Sequence, residues 1–314
     1  MGVKLLSKLL KNECYDETEK IHLSCLYGKK ICIDTSIYLY RFKSQNTLIE
    51  SFYVMCSLFK KYNIKPIFIF DGKPPMEKQK ELENRKKDRE EAKLLYEELH
   101  KKALEEGYEN LSESKKKELE RLKRSMIRIT KEDVNLVKSL LDSYGICHET
   151  AIGEADILCA SLVIKKKVFG VLTEDMDLFA YGSPIILRYI SLSQHSCILY
   201  NLKKILNKLE IEKNDFQLIC VLSGNDYYES KKNIYYYLKI YKKYKKSLND
   251  DDLLTWLNIN NYIKEEEINE IVNTLNIYRN IKKELGNYKN FNIRFSSVCK
   301  NTLKKILELD RFIF

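Results

Sequence analysis

Three short apolar runs, each closed by an acidic residue, constrain this chain more than any other feature. Residues 30–33 (KICI) end in Asp34, residues 66–70 (PIFIF) end in Asp71, and residues 168–173 (VFGVLT) lead into Glu174, Asp175, Met176 and Asp177. Each run is too short for a helix and rich in β-branched or aromatic residues, so each reads as a strand. Longer amphipathic stretches at 47–62, 131–144 and 154–165 read as helices between them. This alternation implies an α/β fold, a mainly parallel central sheet with helices on both faces. Residues 184–189 and 196–200 read as a β-hairpin near a sheet edge. In open parallel sheets the carboxyl ends of the strands converge on one crevice, where ligands bind. A single Asp there is as readily a turn or cap residue. Three together point to a site.

Further acids extend the pattern. Glu154 and Asp156 open the helix that continues as Ile157-Leu158-Cys159-Ala160. Residues two apart do not share a helix face, so both reach one site only where the helix is starting. The helix dipole gives the plainer reading, since acids are favoured in first turns. Asp175 and Asp177, also two apart, fall on one side of an extended segment. Residues 216–224 read as an apolar helix ending at Gly224, and Asn225-Asp226 follows at once. Asp34, Asp71, Glu154, Asp156, Asp175, Asp177 and Asp226 then face one crevice. So many negative charges repel each other into protonation unless cations intervene. An all-oxygen donor set suits a hard ion, Mg²⁺ or Mn²⁺. Carboxylate-held ion pairs are the machinery of in-line phosphoryl displacement.

Composition narrows the partner. With 314 residues the chain has room for two domains or one large α/β domain, and 44% hydrophobic residues suffice for a full core. The charge of +10 invites a polyanion. No apolar run approaches the roughly 18 residues of a membrane span, and no apolar leader follows Met1, so an intracellular protein without a membrane partner is expected. Nine cysteines without a CxxC pair and four scattered histidines argue for reduced thiols, with neither a disulfide framework nor a zinc site. A basic protein with an acidic metal crevice suggests a nuclease.

Between about 76 and 126 the composition changes to 15 basic and 14 acidic residues with one glycine, Gly107. This reads as two charged helices joined near 107–114, with too little apolar surface for a core element; on charge pattern alone, a solvated hairpin accounts for it equally well. Lys78, Arg85, Arg89 and Lys93 would line one face, within roughly an 80° arc at about 100° per residue. From about residue 201 the chain reads as helical, and 231–246 holds seven lysines and no acid among Tyr235, Tyr236, Tyr237, Tyr241 and Tyr244.

The ordered motifs MGVKLLSKLL, ICIDTSIYLY, IKPIFIFDGKPP, GEADILCA, LTEDMDLFAYGSP and LSGNDYYES resemble the flap endonuclease family, within the XPG-type 5′ nucleases. The resemblance runs from Met1 to about Ser230. It implies a PIN-like 5′-nuclease domain over 1–230, a helical arch insertion at about 76–126 that single strands thread, and a helical DNA-binding and C-terminal region over 231–314. It also implies two Mg²⁺ ions, replaceable by Mn²⁺, on the seven carboxylates, and cleavage of branched or flapped DNA where a 5′ single strand leaves a duplex. Asp156 stands where flap endonucleases usually carry Glu, as in the 5′→3′ exonuclease branch. Lys78 and Arg85 match arch positions that contact the scissile phosphate, with Arg89 next on the same stripe. Tyr40 matches an aromatic on which the terminal base stacks, although its apolar neighbours suit a core residue equally. Gly2 matches the family's start, near the DNA junction.

Three departures qualify the resemblance. Material is missing around 42–46, in the loop with which the family grips a one-nucleotide 3′ flap. Asn233-Ile234-Tyr235-Tyr236 replaces a glycine-rich turn that binds duplex backbone with K⁺, so K⁺ is not expected, because Tyr cannot replace Gly at close backbone approach. Lys231, Lys232, Lys239 and Lys242 are expected to hold duplex phosphates instead, unless this is a Lys-coated helix with a tyrosine core. The clamp-binding box is degenerate: residues 306–313 keep the apolar spacing without its Gln, and docking of a terminal helix through Phe312 and Phe314 is the preferred reading. A monomeric 5′ flap endonuclease and 5′→3′ exonuclease for replication, repair or recombination is expected. The alternatives are a 5′→3′ exonuclease or a junction or bubble nuclease of the same superfamily, and a non-catalytic binder of branched DNA. The Lys-, Asn-, Ile- and Tyr-heavy composition suggests an AT-rich genome, viral or parasitic, with a nuclear or cytoplasmic viral site of replication.

Overall fold

The computed structural model describes residues 2–75, 78–247, 250–281, 286 and 293–309. Seven strands form one sheet in the order β1-β7-β6-β5-β2-β3-β4. They are β1 Thr18–His22, β2 Lys30–Asp34, β3 Lys65–Phe70, β4 Cys147–Thr150, β5 Gly170–Leu172, β6 Ile185–Ser191 and β7 Ser196–Asn201. The strands from β6 through β4 run parallel, and the β6–β7 hairpin and β1 complete the sheet antiparallel at one edge.

The central strands are apolar throughout because both of their faces are covered. Along β2, Ile31 and Ile33 join one core while Cys32 joins the other; along β3, Phe68 and Phe70 oppose Ile67 and Ile69. The Ile31 side is covered by α2 (Thr35–Ser44), α3 (Leu48–Lys61) and α6 (Lys131–Tyr144). The Cys32 side is covered by α1 (Leu6–Glu13), α7 (Ala155–Ile164), α8 (Asp177–Ala180), α9 (Leu202–Lys208) and α10 (Lys213–Leu222). That second core continues without a break into α11 (Ile234–Lys246), α12 (Leu253–Ile259) and α13 (Ile268–Arg279), through Ile234, Tyr237, Trp256 and Tyr278.

Two strands carry no continuous apolar run. Both are edges: β1 reads TEKIH and buries only Ile21, while β4 reads CHET and buries none of its residues fully. The third acid-ended run is shorter than its sequence suggests, with only Gly170–Leu172 in the ladder.

The charged insertion folds as two helices, α4 (Gln79–Glu106) and α5 (Glu113–Ser125). Ion pairs such as Lys86–Glu90, Lys93–Glu97 and Glu98–Lys102 line the exposed face of α4 at helical i,i+4 spacing. Ala103, Leu111 and Leu119 bury against Tyr96 and Leu99, so the pair has a small core of its own.

Only Gln45, Asn46 and Thr47 separate α2 from α3, with Asn46 at φ 55°. The C-terminal helix Lys300–Leu309 packs on α6, burying Ile306 and Leu307 in the Ile31-side core. Asp310–Phe314, including Phe312 and Phe314, lie outside the described residues.

Candidate active site

The strand order sets β5, β2 and β3 side by side, so the acids at their carboxyl ends share one edge of the sheet. Asp34 is buried, and its Oδ2 accepts a hydrogen bond from Thr173 Oγ1 at 2.8 Å. Asp71, at the end of β3, accepts from Ser36 Oγ and, at 2.8 Å, from the Ala155 amide that opens α7. Glu154 is the extended N-cap of α7 and Asp156 lies in its first turn. Glu154 reaches Lys78 from the cap, and Asp156 faces Glu154, Lys78 and Asp175 from the first turn.

Asp175 and Asp177 come together differently from the extended arrangement read from their spacing. Asp177 begins α8, and its amide donates to Asp175 Oδ1 at 3.0 Å, so a turn rather than a strand pairs them. Thr173 Oγ1 receives the Asp175 amide at 3.0 Å. Asp226 follows Gly224, whose φ of 87° turns the chain out of α10.

The N-terminal segment closes on these acids. Gly2 N donates to Asp226 Oδ1 at 3.4 Å, and Lys4 N to Gly224 O at 3.0 Å. Gly2 has φ 78°, and a Cβ there would stand 2.5 Å from both Asp175 Oδ1 and Asp177 Oδ1. Only glycine fits this approach.

The cations come from the arch. Lys78 precedes the first turn of α4 and is buried, with Nζ 2.5 Å from Glu154 Oε1 and 3.1 Å from Asp226 Oδ2. Arg85 Nη2 lies 3.1 Å from Asp226 Oδ2, while its Nε bonds Glu81. The basic stripe stops there. Arg89 turns its Nε back to the Arg85 carbonyl, and Lys93 is exposed beside Glu97. A helix face brings Cα positions into line, but only the residues nearest the crevice reach it.

Electrostatics follow from this crowding. Burial, reinforced by the Asp71 charge, pushes Asp34 up to about 8. Burial and neighbouring acids hold Asp156 and Asp177 well above the carboxylate range. Asp226 goes the other way: burial would raise it, but Lys78 and Arg85 outweigh that and lower it. Lys78 is held protonated against burial by Asp156, Glu154 and Asp226.

Among the described residues, no three of these acids present a ready cation cage; hydrogen bonds and Lys78 engage their oxygens instead. Their chemistry nevertheless fits a hard divalent ion. The donors are all oxygen, the charge is undercompensated, and Asp177 Oδ1 is buried without a hydrogen-bond partner.

Neighbouring residues absent from the motif reading complete the site. Tyr227 donates to Glu154 Oε2 and lies under Lys78 Nζ, 5.0 Å from its ring centroid. Its place beside Asp226 was the available signal. Arg188 Nη2 donates to the Glu174 carbonyl at 2.8 Å, steadying the loop that carries Asp175. Tyr278 donates to Asp177 Oδ2 at 3.2 Å from α13, which no local pattern announces.

Of the residues expected to touch DNA, Gly2 lies against the acids, and Tyr40 and the lysines belong to other elements. Tyr40 is 47% exposed on α2, whereas Tyr38 and Phe42 fill the core. Asn233 has φ −115° and caps α11, its side chain accepting from the Tyr235 and Tyr236 amides, so no left-handed turn forms. On α11, Tyr237 and Tyr241 are buried while Lys239 and Lys242 are exposed. Lys231 and Lys232 precede it exposed, with Lys232 Nζ 4.9 Å from the Tyr236 ring centroid.

The XPG N-terminal domain matches residues 1–92 and the XPG I-region matches 145–226. Flap endonuclease 1 of Encephalitozoon cuniculi (strain GB-M1) is 30% identical over 98% of this chain and 89% of its own length. The chain belongs to the flap endonuclease family. Flap endonuclease 1 of Aedes aegypti is 32% identical over 74% of the chain, but that match spans 63% of the insect protein. Among solved structures, the catalytic core of Rad2 in complex with DNA substrate covers 98% of the chain and 94% of its own, with TM-score 0.68 and 20% identity. Human GEN1 in complex with Holliday junction DNA covers 99% and 73%, with TM-score 0.62 and 19% identity. The fold is therefore that of XPG-type nuclease cores, and this member of the family is a structure-specific nuclease. Among the described residues, no helix is long and apolar enough to cross a membrane.

Proposed function

We propose that this crevice hydrolyses DNA phosphodiester bonds where a 5′ single strand leaves a duplex, with endonuclease and 5′→3′ exonuclease modes. The observation that carries the reading is the meeting of two charge systems. Lys78 and Arg85 of the arch converge on Asp226 within a cluster of acids from three strand ends and two helix starts. Asp34, Asp71, Glu154, Asp156, Asp175, Asp177 and Asp226 would hold two divalent ions, Mg²⁺ or Mn²⁺. When bound, such ions supply Lewis acidity for in-line phosphoryl displacement.

The chain's own groups do the rest. Lys78 and Arg85 place positive charge where the transferring phosphate gains negative charge. Tyr40 offers an exposed ring for a terminal base, and Gly2 lets the N-terminal backbone lie against the acids beside the junction. Arg89 extends the arch's basic edge. Lys231, Lys232, Lys239 and Lys242 hold duplex phosphates, which gives steep salt dependence. The Asn233 cap offers no K⁺ turn, so cleavage shows no K⁺-over-Na⁺ preference. The three-residue α2–α3 connection leaves no loop to grip a 3′ flap, which favours a broad range of substrates. Burial of Ile306 and Leu307 removes the apolar residues with which a clamp box would dock. The protein acts as a monomer where its DNA is replicated, in a nucleus or a cytoplasmic viral site.

An end-labelled 5′-flap duplex incubated with the full chain in Mg²⁺ tests this. Wild type releases the flap, and Asp175→Ala does so at least a thousandfold more slowly. A flap left intact in both Mg²⁺ and Mn²⁺, or cut equally by the variant, overturns the reading.

A further inference from the structure

Asp177 is the most deeply buried of the seven acids, at 1% exposure, and its two oxygens are treated differently. Oδ2 accepts the Tyr278 hydroxyl at 3.2 Å, whereas Oδ1 is buried without a partner. Its amide is tied to Asp175 Oδ1. Backbone and one oxygen are thereby fixed, and a single oxygen is left over.

Tyr278 is itself fully buried on α13. Its ring packs against Tyr181, centroids 4.7 Å apart, and meets Tyr227 edge-on at 5.9 Å. Tyr227 in turn donates to Glu154 Oε2, and its hydroxyl lies 3.4 Å from that of Tyr181. Three tyrosines from three parts of the chain thus form a floor beneath the acids, and two of them bond acid oxygens directly. A phenylalanine would fill the same volume at 278, so packing alone does not call for the hydroxyl.

We propose that Tyr278 is a positioning residue for the acidic centre: its hydroxyl fixes the Asp177 carboxylate so that Oδ1 remains as the oxygen given to a divalent cation. This rests on the reading of the acids as cation ligands. It adds that α13, far along the chain from the motifs, sets the affinity of that centre. Outer-shell hydrogen bonds to ligating groups commonly affect metal affinity by about 10–100-fold.

The test compares Tyr278→Phe with wild type as full chains. Mn²⁺ binding without DNA is followed by the electron paramagnetic resonance signal of free Mn²⁺, and thermal unfolding is recorded in chelator. The expected result is Mn²⁺ affinity weaker by about tenfold or more for at least one ion, with the metal-free fold retained. The Mg²⁺ concentration for half-maximal flap cleavage rises by a similar factor, while the rate at saturating Mg²⁺ falls less than threefold. Unchanged Mn²⁺ affinity, or a lower saturating rate without a shift in Mg²⁺ requirement, overturns the proposal. If wild type itself binds no Mn²⁺, the cation-ligand reading beneath it falls too, and the two failures are told apart by that arm.

Discussion

Replacing Lys78 by methionine keeps most of the side chain's volume and removes its charge from the middle of the acids. Nζ lies 2.5 Å from Glu154 Oε1 and 3.1 Å from Asp226 Oδ2, and the side chain is only 9% exposed. Breaking a buried ion pair from one side costs about 3–5 kcal/mol, because the remaining charge is stranded. Arg85 still faces Asp226, which favours the lower end. In a metal-free protein of this size, about 3 kcal/mol lowers the melting midpoint by roughly 5 °C. Divalent ions supply the missing charge, so Mn²⁺ should raise the midpoint more in the variant than in wild type and nearly close the gap. Cleavage should not recover with it. Loss of a cation facing the transition state costs about 10²–10³-fold in rate even with metal saturating. Differential scanning fluorimetry in chelator and in Mn²⁺, alongside single-turnover cleavage, measures all three. An unchanged metal-free midpoint, or equal Mn²⁺ shifts in both proteins, would refute Lys78 as the acids' counter-ion.

Two further outcomes follow from the same crowding. Asp34 is raised to about 8 in the folded protein, burial first and Asp71 second, so its favourable contribution is complete below the unfolded value near 4 and lost as pH rises through about 8. Asp156 and Asp177 shift the same way. Metal-free stability in urea should therefore fall between pH 5 and 8, by up to about 1.4 kcal/mol per pH unit for each proton released, and saturating Mg²⁺ should flatten the trend; a metal-free profile that rises instead contradicts the assignment. Gly2→Ala places a Cβ 2.5 Å from Asp175 and Asp177, whereas Gly28→Ala, also at positive φ, meets nothing within 4 Å. Both incur about 1–2 kcal/mol of backbone strain, but only the first should slow cleavage, by about 10²-fold; equal rates in the two variants would show that the close approach at Gly2 plays no part in cleavage.

How far the sequence foretold this arrangement depends on the range of the interaction concerned. The β2, β3 and β5 runs were readable because strands buried on both faces leave continuous apolar stretches. β1 and β4 were not, because edge strands need no such stretch. Glu154 and Asp156 were placed by a local rule about helix starts, and that placement matches their geometry. Asp175 and Asp177 are neighbours for another reason than the one expected: spacing of two serves a turn as well as a strand. The helical stripe put Lys78, Arg85, Arg89 and Lys93 in line, yet only the first two meet acids, since reach depends on where the arch is rooted. Tyr40 suited core and surface equally until packing put Tyr38 inside and Tyr40 outside. Tyr278 left no trace, because its bond to Asp177 joins α13 to α8 across about a hundred residues of chain, which no local pattern encodes.

The segment before the C-terminal helix has a consequence for the making of the protein. Ser296 N donates to Gly145 O and Cys299 N to Ser143 O, so this stretch runs beside the start of β4, the sheet's outer parallel strand. Gly145 has no room for a Cβ because the Ser296 backbone lies 2.2 Å from where it would stand. An unpaired strand edge is a template for joining another chain. While the polypeptide is emerging from the ribosome, the approach to that edge at Ser143 and Gly145 stays uncovered from the time β4 pairs until Ser296 and Cys299 have been made. A chain cut short before this point should therefore retain its acids and its arch and still be prone to aggregate through β4.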